Sequence, residues 1–302
     1  MKNPQSIKVL ARHGKSFYWA SLFLGSNLAN KAACLYEFCR FVDDLADGDL
    51  PDRQERLEDI KMCLSQTSME IVPDHIPEIV SFLELSKVNN IPLAAARELL
   101  DGMLQDQHPT QIQTESELLR YCHAVAGTVG LMMCRVLDCS DKRADSYAID
   151  LGIAMQLTNI SRDVLEDARM GRRYIPANWF DTVLSAEDIA TAGITSHAAV
   201  ACTIDRLLVL AEKYYSSALI GIRLLPFRSR LSIAIALRVY RQIGWVLRRH
   251  KLAWWAGRTI VGKCEKVLLS MRSVTELIPY HVPKHQKQLH EHLSGLAGVS
   301  GN

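Results

Sequence analysis

The chain lacks most of the features that assign a protein to a class at sight. Its eight cysteines include no CxxC pair, so neither a zinc ribbon nor a thioredoxin-type redox site is expected. Scattered thiols of this kind read as reduced, mostly buried residues of a cytoplasmic protein. Charge of one sign is not in excess. Lys and Arg total 35 against 33 Asp and Glu, a net +2, which gives no reason to expect a nucleic-acid partner. Although 48% of the residues are hydrophobic and the mean hydropathy is +0.01, no uncharged apolar run reaches the ~18 residues of a membrane span. The opening MKNPQSIKVLARHGKSF shows no secretory hydrophobic region. Also missing are a fixed-period repeat, a low-complexity block and a linker.

Helical periodicity runs nearly throughout, rich in Ala, Leu, Arg and Glu. Helices are predicted over roughly 5–24, 29–47, 52–65, 75–86, 92–106, 115–139, 142–170, 185–192, 197–223, 227–252 and 255–277. The economical reading is one all-α domain over 1–279 and a flexible, fraying tail over 280–302. The tail carries His281, His285, His290 and His292, but nothing in the sequence fixes a metal geometry for them.

Two acidic clusters organise the rest. FVDDLADG at 41–48 holds Asp43, Asp44 and Asp47; QLTNISRDVLEDARMGRRYIP at 156–176 holds Asn159, Asp163, Glu166 and Asp167. On a helix, residues four apart share a face, so Asp43 and Asp47 point together, as do Gln156, Asn159, Asp163 and Asp167. Each cluster precedes a glycine, Gly48 or Gly171, that ends its helix. Acids there oppose the helix dipole and repel one another, at roughly 0.3–1 kcal/mol each. One such cluster could be a solvated helix end. Two of them point to a cation between, and oxygen-only ligands suit Mg²⁺ that takes the rest of its shell from a phosphate.

Other stretches allow two readings each. Walking back from Asp43 meets Arg40, Tyr36 and Ala33, over ten residues or about 15 Å of helix. That stripe is a tunnel wall with a polar mouth, or a core stripe with an exposed end. Phe17 and Ser21 lie a turn apart on the first helix. Asp106, in DGMLQDQ, is a lone acid. Gly127 and Gly130, inside YCHAVAGTVG after Tyr121, mark close helix packing or the approach of a ligand. Arg172, Arg173 and Tyr174 form an anion clamp or a basic helix cap. Tyr240, Arg258 and Lys263 are further site candidates. Arg248, Arg249, His250 and Lys251, beside Trp254 and Trp255, are a solvated face or a membrane-resting patch.

HGKSF at 13–17, YEFCRFVDDLAD at 36–47, GMLQD at 102–106, YCHAVAGTVG at 121–130, QLTNISRDVLEDARMGRRYIP at 156–176 and the Tyr240 region occur in order along nearly the whole chain. Together they resemble the squalene/phytoene synthase family of head-to-head prenyl transferases, most of all its bacterial phytoene-type members. The second acid motif is not the DDxxD of chain-elongating prenyl synthases. Its NxxxDxxxD spacing is similar to that of terpene cyclases, where the middle residue is Ser or Thr. The resemblance implies an isoprenoid-synthase helical bundle with a central cavity. It implies that Asp43, Asp47, Asn159, Asp163 and Asp167 hold Mg²⁺ (or Mn²⁺) bridged to substrate diphosphates. Arg40, Arg162, Arg173 and Tyr174 would meet those diphosphates, Asp106 matches the acid of a GMxxD motif, and Tyr36, Tyr121 and Phe17 would line the cavity.

The implied reaction ionises one prenyl diphosphate, couples it to a second through a cyclopropylcarbinyl diphosphate, and ends in a linear hydrocarbon. Small Ser21 and Ala33 at the deep ends of their stripes favour two C20 geranylgeranyl chains and phytoene, a carotenoid precursor. The alternative is two C15 farnesyl chains giving squalene or dehydrosqualene. NADPH enters only if squalene is the product, and the lack of a GxGxxG fingerprint decides little, since NADPH-using members of the family lack one too. A non-catalytic assembly or binding role would be expected to have lost acids that are all present here. Lipid substrate and product imply peripheral contact with the inner face of the membrane.

Overall fold

Residues 4–65, 76–278 and 281–299 are described by a computed structural model. Among them there is no strand, only an isolated bridge of Gln111 with Arg173. The helices are α1 (Pro4–His13), α2 (Lys15–Ser21), α3 (Ser26–Asp47), α4 (Arg53–Cys63), α5 (Pro77–Asn89), α6 (Leu93–Gln105), α7 (Glu115–Cys122), α8 (Thr128–Val136), α9 (Ala144–Arg169), α10 (Ala186–Ala190), α11 (Ile194–Gly221), α12 (Phe227–Arg249) and α13 (Lys263–Ser273).

The bundle is built round α9. Its Ile149, Ile153, Leu157, Ile160 and Val164, three or four apart, are all buried and face α8, α10, α11 and α12. α11 is long and apolar enough by composition to cross a membrane. Its Ile204, Leu207, Ala211, Tyr214, Tyr215 and Ala218 are nevertheless buried against α9, where the Tyr215 hydroxyl meets Thr158 Oγ1 at 2.9 Å. It is the second core helix. Against the other side of α9 comes α8, and here the glycines matter. A Cβ on Gly130 would stand 2.1 Å from the Ala148 carbonyl oxygen, and one on Gly152 2.2 Å from that of Ala126. Close helix packing therefore accounts for Gly130.

Four sequence expectations change. The first predicted helix is two, broken at Gly14, whose missing Cβ would lie 3.0 Å from the Tyr36 ring. The predicted helix over 115–139 contains a π turn at His123–Gly127, where His123 Nδ1 meets Glu98 at 2.7 Å. The last predicted helix begins at Lys263 rather than 255, because Lys251, Leu252 and Gly257 all take positive φ. The predicted start at 75 lies outside the described residues.

The fourth change is the tail, which is docked rather than frayed over 281–299. Tyr147 and Tyr214 hydroxyls donate to the Pro283 and Leu289 carbonyls, both at 2.8 Å, and Leu293 is fully buried. Ala297 N–H donates to Glu98 at 2.7 Å. His285 and His290 Nε2 lie 2.7 and 2.8 Å from the carboxylate of Asp150, which is fully buried in α9. Burial alone would push the Asp150 carboxyl up; the two imidazole hydrogen bonds outweigh it and hold the carboxyl below its ordinary range. The tail is fixed in part because it supplies hydrogen-bond partners to buried Asp150 and half-buried Glu98, which also meet Ser217 and His123 respectively. The expected boundary at 279 and the last three residues lie outside the described ones.

Candidate active site

The C-terminal turns of α3 and α9, the end of α6 and the loop after α9 converge on one opening. Asp43, Asp47, Asp106, Tyr121, Gln156, Asn159, Arg162, Asp163, Asp167, Arg172 and Tyr174 line this mouth, a space of about 230 Å³. Through Asp43, Met103, Gln156 and Asn159 it joins an apolar cavity of about 330 Å³ that runs inward between α2, α3, α8, α9 and α12. Phe17, Ser21, Tyr36, Arg40 and Tyr240 lie along this cavity, with Ala20, Ala32, Gly130 and Ala236 as small wall residues. Phe17 sits between two phenols, its ring centroid 5.0 Å from Tyr240 and 6.2 Å from Tyr36.

At the mouth, guanidiniums hold most of the carboxylates. Arg40 donates to Asp43 at 2.9 Å and also pairs with Asp44. Arg172 donates to Asp47 at 2.8 Å and to the Asp106 carbonyl at 3.3 Å. Arg162 Nε donates to Asp163 at 2.8 Å, while the more exposed Arg258 reaches the same carboxylate at 3.3 Å. No described residue donates a hydrogen bond to the Asp167 carboxylate, and Asn159 Oδ1 is buried without a partner. Burial, then the neighbouring Asp47 and Asp44, push the Asp43 carboxyl up to about 6 against the pull of Arg40. Burial and Asp163 push Asp167 well up too. An oxygen-only donor set with an orphaned amide oxygen and a carboxylate that no described residue serves fits a hard divalent cation.

Asp106 has a different environment. Its carboxylate accepts from the hydroxyls of Tyr121 at 2.7 Å, Tyr174 at 3.0 Å and Thr110 at 3.0 Å. The two phenol rings stack at 4.7 Å. Burial raises the titration of Tyr36 to about 12 and that of Tyr121, Tyr174 and Tyr240 in the same direction, so at neutral pH all four stay protonated.

Two expected substrate contacts lie elsewhere. Ala33 is fully buried off the cavity, and Ala32 lines the wall in its place. At about 100° per residue, position 32 falls about 20° from the direction of Asp43 and position 33 about 80° away. Arg173 is also not at the mouth. Its Nη1 donates to the Ile112 and Ile175 carbonyls at 2.9 and 2.6 Å, and the side chain is 3% exposed. Gly171, at φ +77°, turns the chain into an extended stretch where Arg173 pairs with residues 110–112. Neighbours alternate sides in such a stretch, so Arg172 and Tyr174 face the mouth and Arg173 faces away. That alternation was the available sequence signal for Arg172. Lys263 is exposed at the start of α13 and lines neither space. In the aromatic-basic patch Trp254 is buried, Trp255 stacks on His197 at 3.5 Å and Arg248 pairs with Asp205 at 2.8 Å, while Arg249, His250 and Lys251 are exposed.

Known proteins resemble this chain over most of its length. Residues 10–267 match the family model described as squalene/phytoene synthase. A 15-cis-phytoene synthase of Enterobacter agglomerans is 36% identical, over 89% of this chain and 95% of its own. One from Pantoea ananas is 33% identical, over 94% and 97% respectively. A crystal structure of a dehydrosqualene synthase in complex with ligand superposes with a TM-score of 0.75 at 28% identity, over 90% of this chain and 95% of that one. The chain belongs to the squalene/phytoene synthase family.

Proposed function

We propose that this chain is a Mg²⁺-dependent prenyltransferase that joins two C20 geranylgeranyl diphosphates head to head, through a cyclopropylcarbinyl diphosphate, to phytoene. The observation that carries the proposal is the apolar cavity opening directly into a mouth lined by Asp43, Asp47, Asn159, Asp163 and Asp167. Those five residues would hold the cation, which when bound supplies the positive charge that lets a diphosphate leave. Arg40, Arg162 and Arg172 pair with Asp43, Asp163 and Asp47 of this set. With the carboxylates turned to a cation, these guanidiniums are free to bind diphosphate oxygens. Arg258 would add a contact from the rim, and Gln156 would orient Asn159, whose Nδ2 donates to its Oε1 at 3.2 Å.

Deeper in, the walls exclude water from an allylic cation, and the faces of Phe17, Tyr36 and Tyr240 can stabilise it. The protonated Tyr121 and Tyr174 hold Asp106 in place beside the diphosphate site. Small residues along the cavity favour the C20 chain, as do relatives named phytoene synthase. A second reading, C15 substrates and a dehydrosqualene-type product, is favoured by the similarity to the dehydrosqualene synthase structure.

The proposal includes a cytoplasmic enzyme resting peripherally on membrane. Leu22, Phe23, Leu268 and Met271 are exposed apolar residues on α13 and the turn after α2. Trp19 ties these elements by donating to Ser270 at 3.0 Å, and Lys15 and Lys266 stand nearby as complements to anionic lipid. The test of the chemistry is diphosphate release from each prenyl diphosphate with and without Mg²⁺, in wild type, Asp43→Asn and Asp163→Asn. Metal-dependent release, faster with C20 and lost in both variants, is expected. Absence of metal-dependent release with either chain length overturns the proposal.

A further inference from the structure

We propose that Asp150, His285 and His290 bind a Zn²⁺ ion that fastens the C-terminal segment to α9, separately from the carboxylate mouth. None of the three residues lines the mouth or the apolar cavity. One ligand atom from each lies within 4.8 Å of the others. His285 Nε2 is 2.7 Å from Asp150 Oδ2, His290 Nε2 is 2.8 Å from Oδ1, and the two ring centroids are 4.4 Å apart. Both imidazoles thus aim their Nε2 atoms at one fully buried carboxylate. Ser217 Oγ donates to Oδ2 at 2.5 Å and fixes the orientation of the carboxylate from α11.

The donor chemistry selects the ion. Two imidazole nitrogens and one carboxylate oxygen suit zinc, whereas Mg²⁺ prefers oxygen throughout. The histidines are spaced H-x4-H, within the range that zinc ligands use. A tetrahedral ion with bonds of roughly 2.0–2.2 Å spaces its ligands about 3.2–3.5 Å apart, so each N···O separation must widen by about half an ångström. His285 can supply that movement, because it precedes the 3-10 turn Lys287–Leu293 in an irregular stretch. Its side chain is 12% exposed, whereas Asp150 is fully buried. Binding requires each imidazole to present an unprotonated Nε2, with its remaining proton on Nδ1.

The experiment uses the full chain in excess Mg²⁺, with Zn²⁺ titrated against a chelating dye, in wild type and His290→Gln. Glutamine keeps an N–H that can donate to Asp150 but removes a zinc ligand. One Zn²⁺ per chain is expected in wild type. The variant should lose affinity by more than the roughly 10–100-fold that removing an outer-shell partner costs. Zn²⁺ should also slow proteolysis between the bundle and the tail in wild type and not in the variant. Equal zinc affinity in both proteins, or equal tail protection in chelator and in Zn²⁺, overturns the proposal and leaves a latch of hydrogen bonds alone. Should His290→Gln not fold, His285→Gln makes the same comparison.

Discussion

Replacing Arg172 and Arg173 one at a time by alanine should separate chemistry from stability at two adjacent positions. Arg173 is buried, and its Nη1 serves the carbonyls of Ile112 and Ile175. Removing it strands the Ile175 carbonyl, at roughly 1–3 kcal/mol, while the Ile112 carbonyl keeps the Ala177 N–H at 3.0 Å. At roughly 2–4 °C per kcal/mol for a chain of this order of size, Tm should fall by about 2–12 °C. Arg172 pairs with an Asp47 side chain that is 41% exposed, so its loss should cost under about 1 kcal/mol and move Tm by no more than about 3 °C. Its guanidinium would instead be missed in the transition state. A charge-assisted bond to a leaving diphosphate is worth roughly 1.5–3 kcal/mol, which is about a 10–150-fold loss in kcat/KM. The assays are thermal melting and diphosphate release at 20 °C. Full activity in Arg172→Ala, or loss of activity in Arg173→Ala at unchanged Tm, would refute the assignment of sides after Gly171.

Three further outcomes are expected. Asp43 is held up to about 6 by burial and its acidic neighbours, above its unfolded value near ~3.9. Its contribution to the stability of the metal-free protein is therefore fully present below about pH 4 and lost as pH rises through about 6, where the ionised carboxylate becomes available to a cation. The Mg²⁺-induced rise in Tm should accordingly be small at pH 5 and large at pH 7.5; equal rises at both would contradict this. Ala32→Trp should shift the kcat/KM ratio from C20 toward C15, whereas Ala33→Trp should overpack the core at roughly 1–3 kcal/mol and leave the ratio alone. Glutamate at both Leu268 and Met271 should abolish co-sedimentation with anionic vesicles while sparing turnover of detergent-solubilised substrate, and undiminished co-sedimentation would move the membrane face elsewhere.

Much of the site was legible in the sequence because helices convert spacing into direction. Asp43 with Asp47, and Asn159 with Asp163 and Asp167, face one opening as their four-residue spacing requires. Legibility failed where the backbone leaves the helix or the angle accumulates. Arg172 and Arg173 change sides because Gly171 ends α9, and Ala33 misses the cavity because ten residues are not a whole number of turns. The docked tail was beyond reach of local pattern. Asp150 and Glu98 take their partners from residues 285, 290 and 297, contacts more than a hundred positions away in sequence. The π turn at 123–127 likewise depends on His123 meeting Glu98 and the Ala297 carbonyl, not on its own composition.

The central claim is that the acid mouth and the apolar cavity act together on two C20 diphosphates. Mass analysis of the hydrocarbon extracted after incubation with geranylgeranyl or farnesyl diphosphate, with and without Mg²⁺ and NADPH, tests it most directly. A C40 phytoene-type triene from the C20 substrate, requiring Mg²⁺ and indifferent to NADPH, is the expected result. A C30 product made in preference from the C15 substrate, or no hydrocarbon from either, would contradict it.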